Sequence, residues 1–257
     1  LLISIITVNL NNSKGLQKTI ESVLNQTYKE FEYIVIDGGS TDDSVNIIQQ
    51  YANQLTFWVS EKDNGIYHAM NKGWQKATGQ YCLFLNSGDY LFARNVLEKV
   101  SMKMSEQTAD IYFGDLELEN GRNTYIDKFH IQPSLYFLSY SYFPHPTAFI
   151  STKLLVELGG YDEHYKIIAD RVFFTTAVLK GKTFQPLYLT VTHFEGNGLT
   201  SKGLETHQKE RYELITKEFP FLEKENKHFK RLRHYDISRP HQLLNKLLSL
   251  FGKGMNY

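Results

Sequence analysis

Two short polar segments carry residue types suited to nucleotides and cations. Asp37-Gly38-Gly39-Ser40-Thr41-Asp42 sets a carboxylate beside two glycines. Glycines let the backbone approach a ligand closely, and the Asp37 carboxylate can accept from a base imide or from ribose hydroxyls. Asn86-Ser87-Gly88-Asp89 ends in a carboxylate that can bind Mg2+ or Mn2+, with a diphosphate and water supplying the other ligands. Each segment alone is equally an ordinary turn in which Asp and Ser cap the next helix. A third carboxylate, Asp170 in Ile168-Ala169-Asp170-Arg171, opens a helical pattern, where the helix dipole alone would favour it. His145, between Pro144 and Pro146, and His193, just before Phe194-Glu195-Gly196, are single histidines that suit a ligand role or a structural one.

The elements that must position these residues follow from hydrophobic patterning. Residues 2–8, 31–36, 55–59 and 81–85 are apolar, β-branched or aromatic runs bounded by polar turns, and read as strands. Between them, Ser13 caps a helix with the stripe Leu16, Ile20, Val23 and Leu24, Val45 to Ile48 begins a second, and residues 66–77 form a third stopped by Gly79. Strands joined by helical crossovers imply a parallel sheet covered on both faces, with ligands beyond the carboxyl ends of the strands. Both polar segments end such strands. After Asp110 the pattern changes. Residues 111–118 and 124–129 flank Asn120-Gly121 as a hairpin, an aromatic stretch covers 135–143, and helices are expected over 169–179 and 204–219.

Composition excludes several classes. The 257 residues carry 28 Lys+Arg and 28 Asp+Glu, so no global attraction to nucleic acid is expected. The single cysteine, Cys82, rules out an intrachain disulfide framework and a Cys-only zinc site. No run reaches the ~18 apolar residues of a membrane span, and Leu1 to Ile6 reads as a strand rather than a signal peptide; the expected compartment is cytoplasmic. No G-x-G-x-x-G follows the first strand, and no P-loop, G-x-S-x-G or H-E-x-x-H is present. The zero net charge hides an asymmetry. Residues 221–257 hold 8 Lys+Arg and 3 Asp+Glu, a net +5 that leaves −5 on residues 1–220. Leu243, Leu244, Leu247, Leu248 and Phe251 form an apolar stripe there. This tail reads either as a solvated helix packed on the body or as a helix on an anionic membrane surface, at the inner face of the cytoplasmic membrane.

In combination, Ser4 to Asn9, Gln26-Thr27-Tyr28, Val35 to Asp42, Ser60 to Gly73, Ala77 to Tyr81 and Phe84 to Asp89 resemble family 2 glycosyltransferases of the GT-A fold, over roughly residues 1–200. The wording is similar to the branch that builds bacterial capsule, colanic-acid and lipopolysaccharide sugars. The resemblance implies an α/β fold of GT-A type: a mostly parallel central sheet flanked by helices, a smaller antiparallel acceptor-side part, and a C-terminal helical extension. Residues 1–110 would be the nucleotide-sugar half, 111–220 the acceptor-side half and 221–257 the extension. It implies inverting hexosyl or N-acetylhexosaminyl transfer from a nucleoside-diphosphate sugar, most simply UDP-linked, to a glycan or lipid-linked glycan, assisted by Mn2+ or Mg2+.

The same resemblance implies residue roles. Thr7 and Asn9 would line the nucleoside pocket near Asp37 and Gly38, Asp63 and Lys72 would approach the ribose or diphosphate, and Asn86 would stand with the donor. Asp89 would hold the metal as the last acid of the family's DxD motif, supplemented by His193. Asp170 would be the general base, and His145 would face the acceptor. The chain departs from the pattern at Gly38, at Asn86-Ser87 and at Ala169, where many members carry acids. The thinned acids leave room for a non-catalytic nucleotide-sugar or glycan-binding protein. A nucleotidyltransferase would need a Gly-rich, Lys/Arg-bearing loop that Asn9 to Ser13 lacks.

Overall fold

The computed structural model describes residues 1–120, 123–195, 203–218 and 220. The first half alternates strand and helix: β1 Ile3–Asn9, α1 Ser13–Leu24, β2 Phe31–Asp37, α2 Ser44–Tyr51, β3 Phe57–Ser60, α3 Ile66–Trp74 and β4 Tyr81–Phe84. The strands pair in parallel, with Asn9 opposite Asp37 and Asp37 opposite Ser60, so three polar residues stand side by side at one edge. α1 is capped by Asn12, whose side chain accepts from the Gly15 N–H, and Ser13 is the first residue inside the helix.

The period-two alternation of β1 divides the core. Ile3 and Ile5 pack with Leu16, Ile20, Val23, Ile47 and Ile48 of α1 and α2. Ile6 and Val8 pack with Tyr67 and Met70 of α3 and with residues further along the chain. A strand buried on both faces needs apolar residues at every position, which is why β1 and β2 read as near-continuous hydrophobic runs.

The second half adds β5 Tyr90–Leu91, α4 Val96–Glu106, β6 Ile111–Asn120, β7 Asn123–Asp127, α5 Leu135–Tyr140, β8 Phe149–Ser151, α6 Thr152–Leu158, α7 Ala169–Leu179, β9 Phe184–Phe194 and α8 Leu204–Glu213. Leu214–Glu218 continues α8 as a π-helical turn. Strand order is β3-β2-β1-β4-β8-β6-β9-β5, with β7 on β6. The part expected to be antiparallel is mixed: β8 runs against both β4 and β6, but β6 and β9 run parallel. Because β8 reverses the direction twice over, β6 and β9 point their carboxyl ends to the same edge as β1, β2 and β4. β6 and β7 pair antiparallel, as expected of the hairpin, with Asn120 opposite Asn123; Gly121 of the expected turn lies outside the described residues. The basic extension over residues 221–257 also lies outside them.

Candidate active site

Asp37 closes the end of β2. Its carboxylate accepts from Ser40 N at 2.9 Å, Ser40 Oγ at 2.6 Å, Ser60 Oγ at 2.7 Å and Asn9 Nδ2 at 2.7 Å. Burial acts to raise its pKa, but these bonds outweigh it and hold the group below the ordinary carboxylate range. Asp37 is fully buried and its acceptor capacity is spent, so it ties three strand ends together rather than reaching a ligand. It also orients Asn9. With Nδ2 committed to an acceptor-only carboxylate, the Asn9 Oδ1 must face away, and it is buried without a hydrogen-bond partner.

Asn9 opens a cavity of about 670 Å³ at the carboxyl edge of the sheet. Asn9, Asp63, Tyr67, Asn86, Asp89, Glu163, Lys166 and Glu195 are among its lining residues. Asp63 reaches it because residue 38 is glycine; a Cβ there would stand 2.5 Å from Asp63 Oδ2. The Asn86 Oδ1 is a second buried oxygen with no partner. Such orphans are rare and are usually satisfied by a ligand or water.

Asp89 is 5% exposed, and no basic side chain bonds it among the described residues. Burial pushes its pKa well up; the Glu195 N–H opposes this and the Glu195 charge adds to it. A desolvated carboxylate without a counter-charge fits a divalent cation, which prefers hard oxygen ligands. Among the described residues the lining holds four carboxylates, those of Asp63, Asp89, Glu163 and Glu195, against one lysine, Lys166, and no arginine. Among the described residues no three His, Cys, Asp or Glu side chains form a ready cage, so the remaining ligands would come from the diphosphate and water.

Asp170 stands in the first turn of α7, half-buried, directly behind Tyr67. The Tyr67 hydroxyl lies 2.9 Å from Asp170 Oδ1 and 2.8 Å from the Ile167 carbonyl, and Oδ1 also accepts from Arg171 N at 2.8 Å. Burial and the Asp170 charge raise the Tyr67 pKa well above its usual value, so the phenol keeps its proton and serves as a donor. Asp89 thus lines the cavity directly, whereas Asp170 is not among the lining residues and is connected to it through its hydrogen bond with Tyr67.

Other residues singled out in the sequence stand elsewhere. Thr7 faces the same side of β1 as Asn9 but one pleat deeper, fully buried and 3.0 Å from the Tyr33 hydroxyl. Lys72 turns to Glu61 at 2.7 Å and is not in the lining. His145 is a core residue, stacked on Phe84 and 2.8 Å from the Tyr161 hydroxyl. Burial lowers its pKa, against the pull of Asp170. His193 is 2% exposed, stacked on Tyr90, with Nδ1 2.6 Å from Glu117 and Nε2 3.0 Å from Glu119. Both ring nitrogens are therefore engaged away from Asp89, because β6 runs beside β9 in parallel and presents its glutamates to the ring. Tyr67, Glu163, Lys166 and Glu195 were not identifiable from sequence. Tyr67 lies in the Ser60 to Gly73 segment and Glu195 close to His193, but nothing in the sequence pairs Tyr67 with Asp170, 103 residues away, and only the folded sheet edge collects these residues.

Residues 4–161 match the family described as Glycosyl transferase family 2. An uncharacterized glycosyltransferase of Mycobacterium tuberculosis is 31% identical over 180 residues, covering 69% of this chain and 69% of that protein. Bacillus subtilis TuaG, named for teichuronic acid biosynthesis, is 33% identical over 138 residues, covering 52% and 54%. Among solved structures, S. aureus TarS in complex with UDP-GlcNAc is similar with a TM-score of 0.63 and 23% identity, over 77% of this chain and 59% of that one. The mannosyltransferase PcManGT from Pyrobaculum calidifontis, in complex with GDP-Man and Mn2+, has a TM-score of 0.60 and 18% identity, over 78% and 59%. At these identities the two structures speak to the fold, which is the GT-A-like α/β arrangement.

Proposed function

The chain belongs to glycosyl transferase family 2, and on that premise we propose that it moves a sugar from a UDP-sugar to a hydroxyl of a bacterial surface glycan or glycolipid, with inversion. The observation that carries the reading is the shared cavity. It joins the orphan Asn9 oxygen, the desolvated Asp89 carboxylate and the Tyr67 hydroxyl bonded to Asp170. UDP-GlcNAc bound to a protein of the same fold supports the donor class, and teichuronic acid biosynthesis in a relative supports the product class.

Asn9 Oδ1 is a fixed acceptor that suits the imide N–H of uracil or the N1–H of guanine, and it repels the ring-nitrogen acceptors of cytosine and adenine. Asp63 accepts from the ribose, and Asn86 and Asp89 are the residues that would hold a Mn2+ or Mg2+ ion at the diphosphate end. The ion supplies charge stabilisation to the departing diphosphate. Asp170 takes the acceptor's proton as the hydroxyl oxygen bonds to the anomeric carbon, and the bond from that carbon to the diphosphate oxygen breaks on the opposite face. Tyr67 fixes the Asp170 carboxylate. Residues 1–220 make up the catalytic body, and the net +5 of residues 221–257 brings it to an anionic membrane surface.

Asp170→Asn tests the assignment. Donor binding, read by thermal shift with UDP-sugars and Mn2+, is retained, while transfer falls by about 10²–10⁴-fold. Near-normal turnover in that variant rejects Asp170 as the base.

A further inference from the structure

The family's paired acids are reduced here to Asp89, yet a second carboxylate arrives at the same place from the far end of the sheet. Glu195 is the first residue beyond β9. Its backbone N–H and its charge both act on the Asp89 carboxylate, the first lowering the pKa and the second raising it. Its side chain reaches over Gly88, where a Cβ would lie 3.3 Å from Glu195 Oε2 and where φ is +106°. Glycine at 88 therefore permits both the turn and the approach. Both carboxylates line the cavity that also holds the unpartnered Asn86 oxygen.

The approach of two like charges is held by specific contacts. Lys18 Nζ bonds Glu195 Oε1 at 3.1 Å and lies 4.1 Å from the Tyr90 ring centroid. Tyr90 in turn stacks on His193 at 4.3 Å, and His193 is clamped by Glu117 and Glu119. The clamp fixes the end of β9 and hence the position of Glu195. Both ring nitrogens are taken up by these carboxylates, so His193 anchors the strand rather than ligating an ion.

We infer that Glu195 is the second carboxylate of the donor cation site and that Lys18 holds its place when no cation is bound. The inference rests on the metal-assisted donor binding proposed above. A cation between Asp89 and Glu195 releases Lys18, and it gains an anionic ligand that the Ser87-Gly88-Asp89 motif cannot supply.

The test is Mn2+ binding in the presence of UDP, read by the loss of the free-ion electron paramagnetic resonance signal, with melting temperature as a fold control. Glu195→Gln is expected to weaken Mn2+ binding about tenfold, the scale set by ligand charge and its support. UDP binding without metal should be unchanged or stronger. Lys18→Met should tighten Mn2+ binding a few-fold, because a competing cation is removed. Unchanged Mn2+ affinity in both variants, with the wild type binding Mn2+ and UDP together, overturns the Glu195 assignment and leaves the donor reading intact. A wild type that binds UDP but no Mn2+ overturns the metal-assisted reading and this inference with it.

Discussion

Asp89 is held in a state that costs the fold free energy, and that cost is the signature of a residue kept for a ligand. Its carboxylate is desolvated, faces Glu195, and has no basic partner among the described residues. Replacing it by asparagine keeps the shape and removes the charge. Asp89→Asn is expected to raise the melting temperature of the metal-free protein, by the equivalent of about 1–3 kcal/mol, and to abolish the extra thermal shift that Mn2+ gives with UDP. A lower melting temperature in the absence of ligand would mark Asp89 as structural. Tyr67 makes the opposite kind of contribution. Its hydroxyl holds one oxygen of Asp170, so Tyr67→Phe leaves the base in place but less well oriented. We expect kcat to fall about tenfold with donor affinity unchanged, since positioning effects act on the transition state. Steady-state kinetics separate the two parameters, and an equal rise in donor KM would place the Tyr67 hydroxyl on the donor instead.

At the scale of elements, two buried carboxylates join the parallel strands from opposite ends. Glu32 of β2 accepts from Ser4 of β1 and from Thr78 and Gly79 just before β4. Asp37 joins β1, β2 and β3 at the cavity end. In both, burial raises the pKa but the hydrogen bonds outweigh it, so the folded value lies below the usual one. A depressed folded pKa gives stability that is complete above the unfolded pKa of about 4 and is lost as pH falls through the folded value. Glu32→Gln should therefore cost about 1–3 kcal/mol at neutral pH, with a gap to wild type that narrows in urea melts taken below about pH 4. A gap independent of pH would show that shape, not charge, is what the variant loses. The first four strands were legible because each is a mostly apolar run ended by turn residues. β9 was not, since Pro186 and the positive φ of Tyr188 interrupt its pattern and its partner β6 is distant in sequence. The site divided the same way. Asp89 and Asn9 follow directly from strand ends, whereas Glu195 needs the β6–β9 pairing, and the true orientations of Asp37 and His193 depend on cross-strand partners that spacing does not reveal.

The whole molecule separates its charges. Residues 1–220 carry −5, and among the described residues four of their carboxylates and one lysine line the cavity. Residues 221–257 carry +5 beside a stripe of leucines. A body of this sign is repelled by anionic lipid, so any attraction must come through the tail, where each Lys or Arg near such a surface is worth about 1 kcal/mol. Among the described residues no helix is long and apolar enough to cross a membrane. The expected outcome is that the full chain co-sediments with vesicles rich in phosphatidylserine or cardiolipin but not with neutral ones, and that binding weakens as salt screens the charges. Reversing Lys230, Arg231 and Arg233 to glutamate changes the local charge by six and should lower partitioning more than a hundredfold, by about 1 kcal/mol per unit charge. UDP and Mn2+ binding should be untouched, because the proposed donor site lies in residues 1–220. Equal sedimentation of the reversed variant and the wild type would assign the tail to packing on the body, and the enzyme would then meet a lipid-linked acceptor through its catalytic surface alone.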